Sequence, residues 1–226
     1  MKDVTVIIPA ANEAGNIQRL VEEIRETMPV SVIVVDNAST DGTAQEAAQA
    51  RAEVISEPRR GYGYACAAGV SAAKDSHVLI FMDGDYSFSP ADLPSLIAPI
   101  IEDRADLVLG SREMGSIARG AMPFQQRFGN WLASRLMNIL YGLAITDLGP
   151  YRAIRAGLLR ELDMREMTYG WPTEMIVKAA RRKARITEVP VSYRSRLFGR
   201  SKVSGTIRGT LLASWYILGV TVRYAR

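Results

Sequence analysis

Two carboxylates one residue apart, Asp83 and Asp85, end the apolar run in Phe81-Met82-Asp83-Gly84-Asp85-Tyr86. Residues 78–82 have the length and composition of a buried strand bounded by turn chemistry. Aspartates at the carboxyl end of such a strand face the crevice where open α/β sheets bind ligands. Side by side there, they repel each other unless a cation sits between them. A hard divalent ion with oxygen ligands and phosphate partners suits that position. The chemistry in prospect is that of a metal-bound nucleoside diphosphate.

Other strand ends carry polar groups in an order that a nucleotide-binding sheet requires. Pro9-Ala10-Ala11-Asn12-Glu13 puts a carboxylate in the turn between a first strand and a helix, where capping through Asn12 or Glu13 is the simpler reading. In Val34-Val35-Asp36-Asn37-Ala38-Ser39-Thr40-Asp41-Gly42-Thr43, Asp36 faces the crevice and can accept hydrogen bonds from a base or ribose. Asp41 caps the next helix. Arg59-Arg60-Gly61-Tyr62-Gly63-Tyr64 lacks the third glycine of a dinucleotide fingerprint and follows the third strand, so an NAD site is rejected. Its small residues are expected to let backbone and helix approach the ligand. A phosphatase with an aspartyl nucleophile would carry its aspartates at the first strand, not the fourth.

The elements needed to position these groups follow from periodicity. Strands are predicted at 4–9, 30–36, 53–56, 78–82 and 106–110. Helices are predicted at 14–28, after Asp41-Gly42-Thr43, and at 64–74 and 92–102. This alternation specifies an α/β fold with a mostly parallel sheet covered on both faces. The second half is less regular, with helices at 124–141 and 173–183, a strand at 189–193 and a basic loop at 194–202. The expected organisation is one catalytic domain over 1–205 and a C-terminal apolar, amphipathic helical segment over 206–226.

A chain of 226 residues with 48% hydrophobic and 23% charged residues can bury a full core. One cysteine, Cys66, excludes an internal disulfide and fits a reducing compartment. One histidine, His77, excludes a multi-histidine zinc site and disfavours Ser-His-Asp catalysis. A net charge of +4 points to anionic partners. Without aromatic-rich recognition motifs, phosphate or an anionic membrane surface is expected rather than nucleic acid. The N-terminal apolar run, interrupted by Pro9, reads as a strand and not as a leader.

Taken together, these motifs resemble the family 2 glycosyltransferases of GT-A (Rossmann-like) fold, and within them the dolichol-phosphate mannose synthase-like, polyprenyl-phosphate branch. The resemblance runs from Val4 to about Lys202. It rests on Pro9 to Glu13, Val35 to Thr43 (with Asn37 where the family has a second Asp), Asp83 with Asp85, and Gly110-Ser111-Arg112. It continues through Thr146-Asp147-Leu148-Gly149-Pro150-Tyr151-Arg152 and Glu188-Val189-Pro190-Val191 with Tyr193, Arg196, Gly199, Ser201 and Lys202. The resemblance implies transfer of a hexose from a nucleotide diphosphate sugar, GDP-mannose or UDP-glucose. Pro9, Ala11, Glu13, Val34 and Asp36 would contact the nucleoside. Asp83 and Asp85, with Gly84 between them against the donor, would bind Mg²⁺ or Mn²⁺. Arg112, Arg196 and Lys202 would hold phosphates, and Ser87 stands where mannose synthases can offer a longer amide side chain.

A polyprenyl or dolichyl phosphate acceptor is already a nucleophilic anion, so inverting transfer to it needs no strong base. A soluble or lipid hydroxyl acceptor would need one, with Asp147 as first candidate and Glu174 as second. The structural alternative for Asp147 is an ion pair with Arg152. A non-catalytic nucleotide-sugar-binding module is the reading from another class. The segment 206–226 is too short in its uncharged part to span a bilayer, but suits its interface or a subunit contact. The expected location is cytoplasmic, peripheral at the inner face of the membrane, and homo-oligomerisation stays open.

Overall fold

In the computed structural model, which describes residues 3–198, 219–221, 223 and 224, the chain alternates strands and helices. The order is β1 (Val4–Ala10), α1 (Ile17–Thr27), β2 (Ser31–Asp36), α2 (Thr43–Gln49), β3 (Glu53–Ser56), α3 (Tyr62–Ala72), β4 (Val78–Phe81) and α4 (Leu93–Ile101). It continues with β5 (Leu107–Ile117), α5 (Phe124–Tyr141), β6 (Arg152–Arg155), α6 (Ala156–Glu161), α7 (Trp171–Arg181) and β7 (Ile186–Tyr193). Lys202 and the boundary at 205/206 lie outside the described residues, as does most of the segment 206–226.

One seven-stranded sheet has the order β3-β2-β1-β4-β6-β5-β7. All neighbours are parallel except β6, which is antiparallel to both β4 and β5. The expected mostly parallel sheet is therefore present, with one strand that periodicity did not predict. β6 and α6 escaped notice because Arg152-Ala153-Ile154-Arg155 starts and ends on a cation.

Every residue of β4 is buried, as both faces of a covered sheet require. Full burial of each such side chain is worth about 1.5–3 kcal/mol. Ile17, Leu20, Val21 and Ile24 recur at helical spacing on α1 and pack on one face of the sheet with α4. The other face is covered by α3, α6 and α7.

Strand order reverses between β1 and β4. Connections run outward to β2 and β3 on one side and to the later strands on the other. Such a switch point leaves a crevice outside the strand ends. Register brings those ends level, with Ala10 opposite Asp36 and Ile7 opposite Phe81. The β1–α1 turn and the Asp83–Asp85 pair thus meet at one place.

Candidate active site

The turns leaving β1 and β2 are stitched together. Asn12, in the left-handed region at φ +53°, accepts from the Thr40 N–H at 2.7 Å, and the Glu13 N–H donates to Thr43 Oγ1 at 2.8 Å. Asp41 accepts from the N–H of Thr43, the first residue of α2, at 3.1 Å and from that of Ala14 at 3.2 Å. Asp36 is half-buried at its strand end and accepts from the Ser39 N–H at 3.1 Å. Asn37 donates to the Glu57 and Arg59 carbonyls at 3.0 and 2.7 Å and accepts from the Gly61 N–H at 2.9 Å. A carboxylate cannot donate, so the amide at this position fixes the β3–α3 turn by means an aspartate lacks.

Gly84 lets the end of β4 lie against β1, since a Cβ there would stand 3.3 Å from the Ala10 Cβ. Next to it Asp83 is half-buried, and its carboxyl is pushed up to about 7, first by burial, then by Asp85 and Glu13. Arg112 and Arg196 oppose that rise. Asp85 is buried; its Oδ1 accepts from the Ser87 N–H at 3.0 Å and the Ser87 hydroxyl at 2.5 Å. Its Oδ2 receives Arg196 Nη2 at 2.5 Å, while Arg196 Nη1 lies 3.9 Å from Glu13 Oε1. A guanidinium therefore sits on one oxygen of Asp85 while Ser87 donates twice to the other.

Arg112 lies at the wall of the same crevice. Its Nε and Nη2 donate to Asp147 at 2.8 and 2.7 Å, and its backbone N–H adds a bond at 2.7 Å. The Gly149 N–H supplies a fourth donor at 2.9 Å. The Asp147 side chain has no exposed surface. Burial pushes its carboxyl up, but Arg112 outweighs burial and holds it below the ordinary value. Asp147 is thus ion-paired, as its structural alternative expected, but with Arg112. Its partner is not Arg152, whose buried guanidinium donates to the backbone carbonyls of Pro172 at 2.7 Å and Leu148 at 3.2 Å.

Glu174, the second candidate base, is also buried. It accepts from the N–H groups of Arg165 and Glu166 at 2.9 and 2.8 Å, and from Tyr224 Oη at 2.9 Å, and it pairs with Lys178 at 2.8 Å. It organises the segment before α7. Val34, expected at the nucleoside, is fully buried in the core. Gly61 and Gly63 lie against backbone. A Cβ on them would collide with the Met167 and Glu166 carbonyl oxygens at 2.4 and 2.2 Å, so they admit the 166–167 backbone. Pro9 and Ala11 are half-buried at the end of β1.

Comparison with known proteins bears on this arrangement. The sequence model of glycosyl transferase family 2 matches residues 5–163. The chain is a family 2 glycosyltransferase. It is 38% identical over 210 residues to an uncharacterized glycosyltransferase of Mycobacterium bovis, covering 93% of this chain and 94% of that one. It is 34% identical to the undecaprenyl-phosphate mannosyltransferase of Micrococcus luteus, covering 98% of this chain and 96% of that one. Among solved structures, glucosyl-3-phosphoglycerate synthase of Mycobacterium tuberculosis with Mn²⁺, UDP and phosphoglyceric acid superposes with a TM-score of 0.78 at 20% identity. That match covers 99% of this chain and 78% of the other, and it shows the shared GT-A fold.

In this glycosyltransferase the carboxylates fit a divalent ion by charge and donor type. They are oxygen donors crowded enough that one of them resists ionisation. Among the described residues no set of three His, Cys, Asp or Glu side chains is placed to enclose an ion. Two protein carboxylates completed by diphosphate oxygens and water is the coordination such a site admits. The sequence reading missed Asn16 and the orienting role of Ser87. The signal for Ser87 was its place two residues beyond Asp85, the reach of an Asx turn.

Proposed function

We propose that this glycosyltransferase moves a hexose from a GDP- or UDP-sugar to a polyprenyl phosphate, with inversion. The observation that carries the acceptor class is the state of the two candidate bases. Asp147 and Glu174 are buried and saturated by N–H, O–H and ammonium donors. A hydroxyl acceptor must lose a proton as it attacks, whereas a phosphate monoester arrives ionised. Its oxygen forms the new bond to the anomeric carbon as the bond to the donor diphosphate breaks. The electron pair leaves with the nucleoside diphosphate, and no proton moves.

Arg196 supplies positive charge where the departing diphosphate gains negative charge, while Arg112, held by Asp147, walls the same crevice. Asp83 and Asp85 would hold Mg²⁺ or Mn²⁺, which when bound neutralises the leaving group. Asp36, with Pro9 and Ala11, would meet the nucleoside. Two relatives named as acting on polyprenyl phosphates support the acceptor. They are the Micrococcus luteus enzyme and the polyprenol monophosphomannose synthase of Mycolicibacterium smegmatis, 31% identical over 95% of this chain and 87% of that one. Their names favour mannose as the sugar.

A lipid acceptor requires a membrane beside the crevice, and α5 offers the surface. Asn130 on its inner side pairs with the Leu148 N–H at 3.0 Å and the Thr146 carbonyl at 3.2 Å, so the helix straps the segment carrying Asp147. On its outer side Phe124, Phe128, Trp131, Leu132 and Ile139 are exposed. α5 has no acidic residue, and Arg127 (paired with Glu113) and Arg135 lie on it. Apolar and basic groups on one helix suit an anionic interface. Among the described residues no helix is long and apolar enough to cross a membrane.

The test is transfer from labelled GDP-mannose and UDP-glucose to undecaprenyl phosphate, with Mn²⁺ or with EDTA. Metal-dependent product with one donor is expected. Product only with alcohol acceptors would overturn the acceptor, and no product with either class would overturn the proposal.

A further inference from the structure

Asn16 is almost wholly buried, 1% exposed, at the position preceding α1. Asparagine there ordinarily accepts an N–H of the helix it precedes. This one makes no such cap bond. Its Oδ1 accepts from the Phe198 N–H at 3.1 Å, and its Nδ2 donates to the Phe198 carbonyl at 3.2 Å. Nδ2 also donates to Glu13 Oε2 at 3.1 Å. A primary amide can pair with the N–H and C=O of one residue as a neighbouring strand would; a carboxylate can only accept.

A second feature meets the same residue. Gly15, at φ +85°, faces the Phe198 ring, and a Cβ there would stand 3.2 Å from Cδ2. The ring is 59% exposed, so its burial does little to hold the segment in place. Anchors recur at every second residue after β7. The Arg194 N–H donates to the Ser87 carbonyl at 2.8 Å, Arg196 holds Asp85 at 2.5 Å, and Phe198 is held by Asn16. The segment therefore runs from the end of β4 to the end of β1, across the switch point.

We propose that Asn16 is a positioning residue: with Gly15 it forms a seat for residue 198 that keeps the Arg196 guanidinium over the crevice. The role rests on the proposed function, in which Arg196 meets the donor diphosphate. The seat itself does not.

The experiment is a double-mutant cycle on binding of UDP and GDP in the presence of Mn²⁺, read by calorimetry. Arg196→Ala is expected to weaken the diphosphate about ten- to hundredfold, the range for a charged hydrogen bond. Asn16→Ala should weaken it several-fold, and the double variant should bind no worse than Arg196→Ala alone. Phe198→Pro, at an exposed position, deletes the N–H that Asn16 accepts and should reproduce the Asn16→Ala loss. Wild-type affinity in both variants, or losses that multiply with Arg196→Ala, would overturn the positioning role. Hydrogen exchange at the Phe198 amide provides a ligand-free arm: protection in the wild type that vanishes in Asn16→Ala is expected. Fast exchange in the wild type would sink the seat. If neither diphosphate binds the wild type, the proposed function falls, while exchange still decides the seat.

Discussion

Two guanidinium–carboxylate pairs flank the same crevice and do different things. In Arg112–Asp147 the side chains are 7% and 0% exposed; in Arg196–Asp85 they are 23% and 10% exposed. The first pair is closed on every side by backbone donors and by the rings of Tyr193 and Phe88, whose centroids lie 5.1 and 6.0 Å from the guanidinium. The second has a face toward the crevice, and its cation comes from a segment beyond the last strand. Identical chemistry is thus dry and fully enclosed in one pair and partly wet in the other, where the proposed function makes it a ligand contact. A buried pair is costly to break because the surviving partner stays charged without solvent. A pair at a crevice can trade one partner for phosphate or metal at little cost.

The largest expected effect comes from the dry pair. Asp147→Asn should lower the unfolding free energy by about 3–5 kcal/mol, read by urea denaturation, because Arg112 is left uncompensated. Unchanged stability with abolished turnover would instead make Asp147 a base and break the contrast. Next, Asp85→Ala should reduce sugar transfer by about a hundredfold or more while changing stability by less than about 1 kcal/mol. Unfolding as severe as that of Asp147→Asn would show that the wet pair is scaffold too.

A third test uses pH. Between the ordinary value of 3.8 and about 7, folded Asp83 keeps a proton that the unfolded chain has lost. The folded state binds more protons in that window, so this group's contribution to stability falls as pH rises through it. Carboxylates held low act oppositely and further down: Asp106, at about 2 chiefly through Arg185, loses its contribution as pH falls below the ordinary value. Melting curves in EDTA should therefore show Asp83→Asn gaining on the wild type from about pH 4 to about pH 7. A constant difference would mean that Asp83 is not crowded. The smallest effect belongs to Ser87→Ala, which removes one hydroxyl donor from Asp85 and should weaken Mn²⁺ binding a few-fold. No change in titrations would show that the backbone N–H orients the carboxylate unaided.

The first four strands, with Asp36 and Asp83 at or just past strand ends, were legible, because apolar runs ending in turn residues report strand ends; the order of the strands in the sheet was not. β6 was not, since its charges are satisfied only by tertiary partners: Arg152 by backbone carbonyls, and Arg155 by Asp106 at 3.2 Å and Asp103 at 2.7 Å. For the same reason the sequence left Asp147 open between base and ion-pair partner, with Glu174 as a second candidate base. Residue type announces a carboxylate, but only the folded chain decides whether donors surround it. Asn16 was overlooked because an asparagine before a helix already has an ordinary local explanation. Its actual partner is 182 residues away.

The antiparallel β6 also imposes an order on synthesis. It lies between β4 and β5 in the sheet but follows both in the chain. While the protein emerges from the ribosome, β3, β2, β1 and β4 can assemble through their own crossovers. The outer edge of β4 then waits, unpaired and wholly apolar, until residues 152–155 have been made. An exposed strand edge of that kind invites pairing with another chain. Until residues 152–155 arrive, the first four strands therefore lack the strand that joins them to the rest of the sheet.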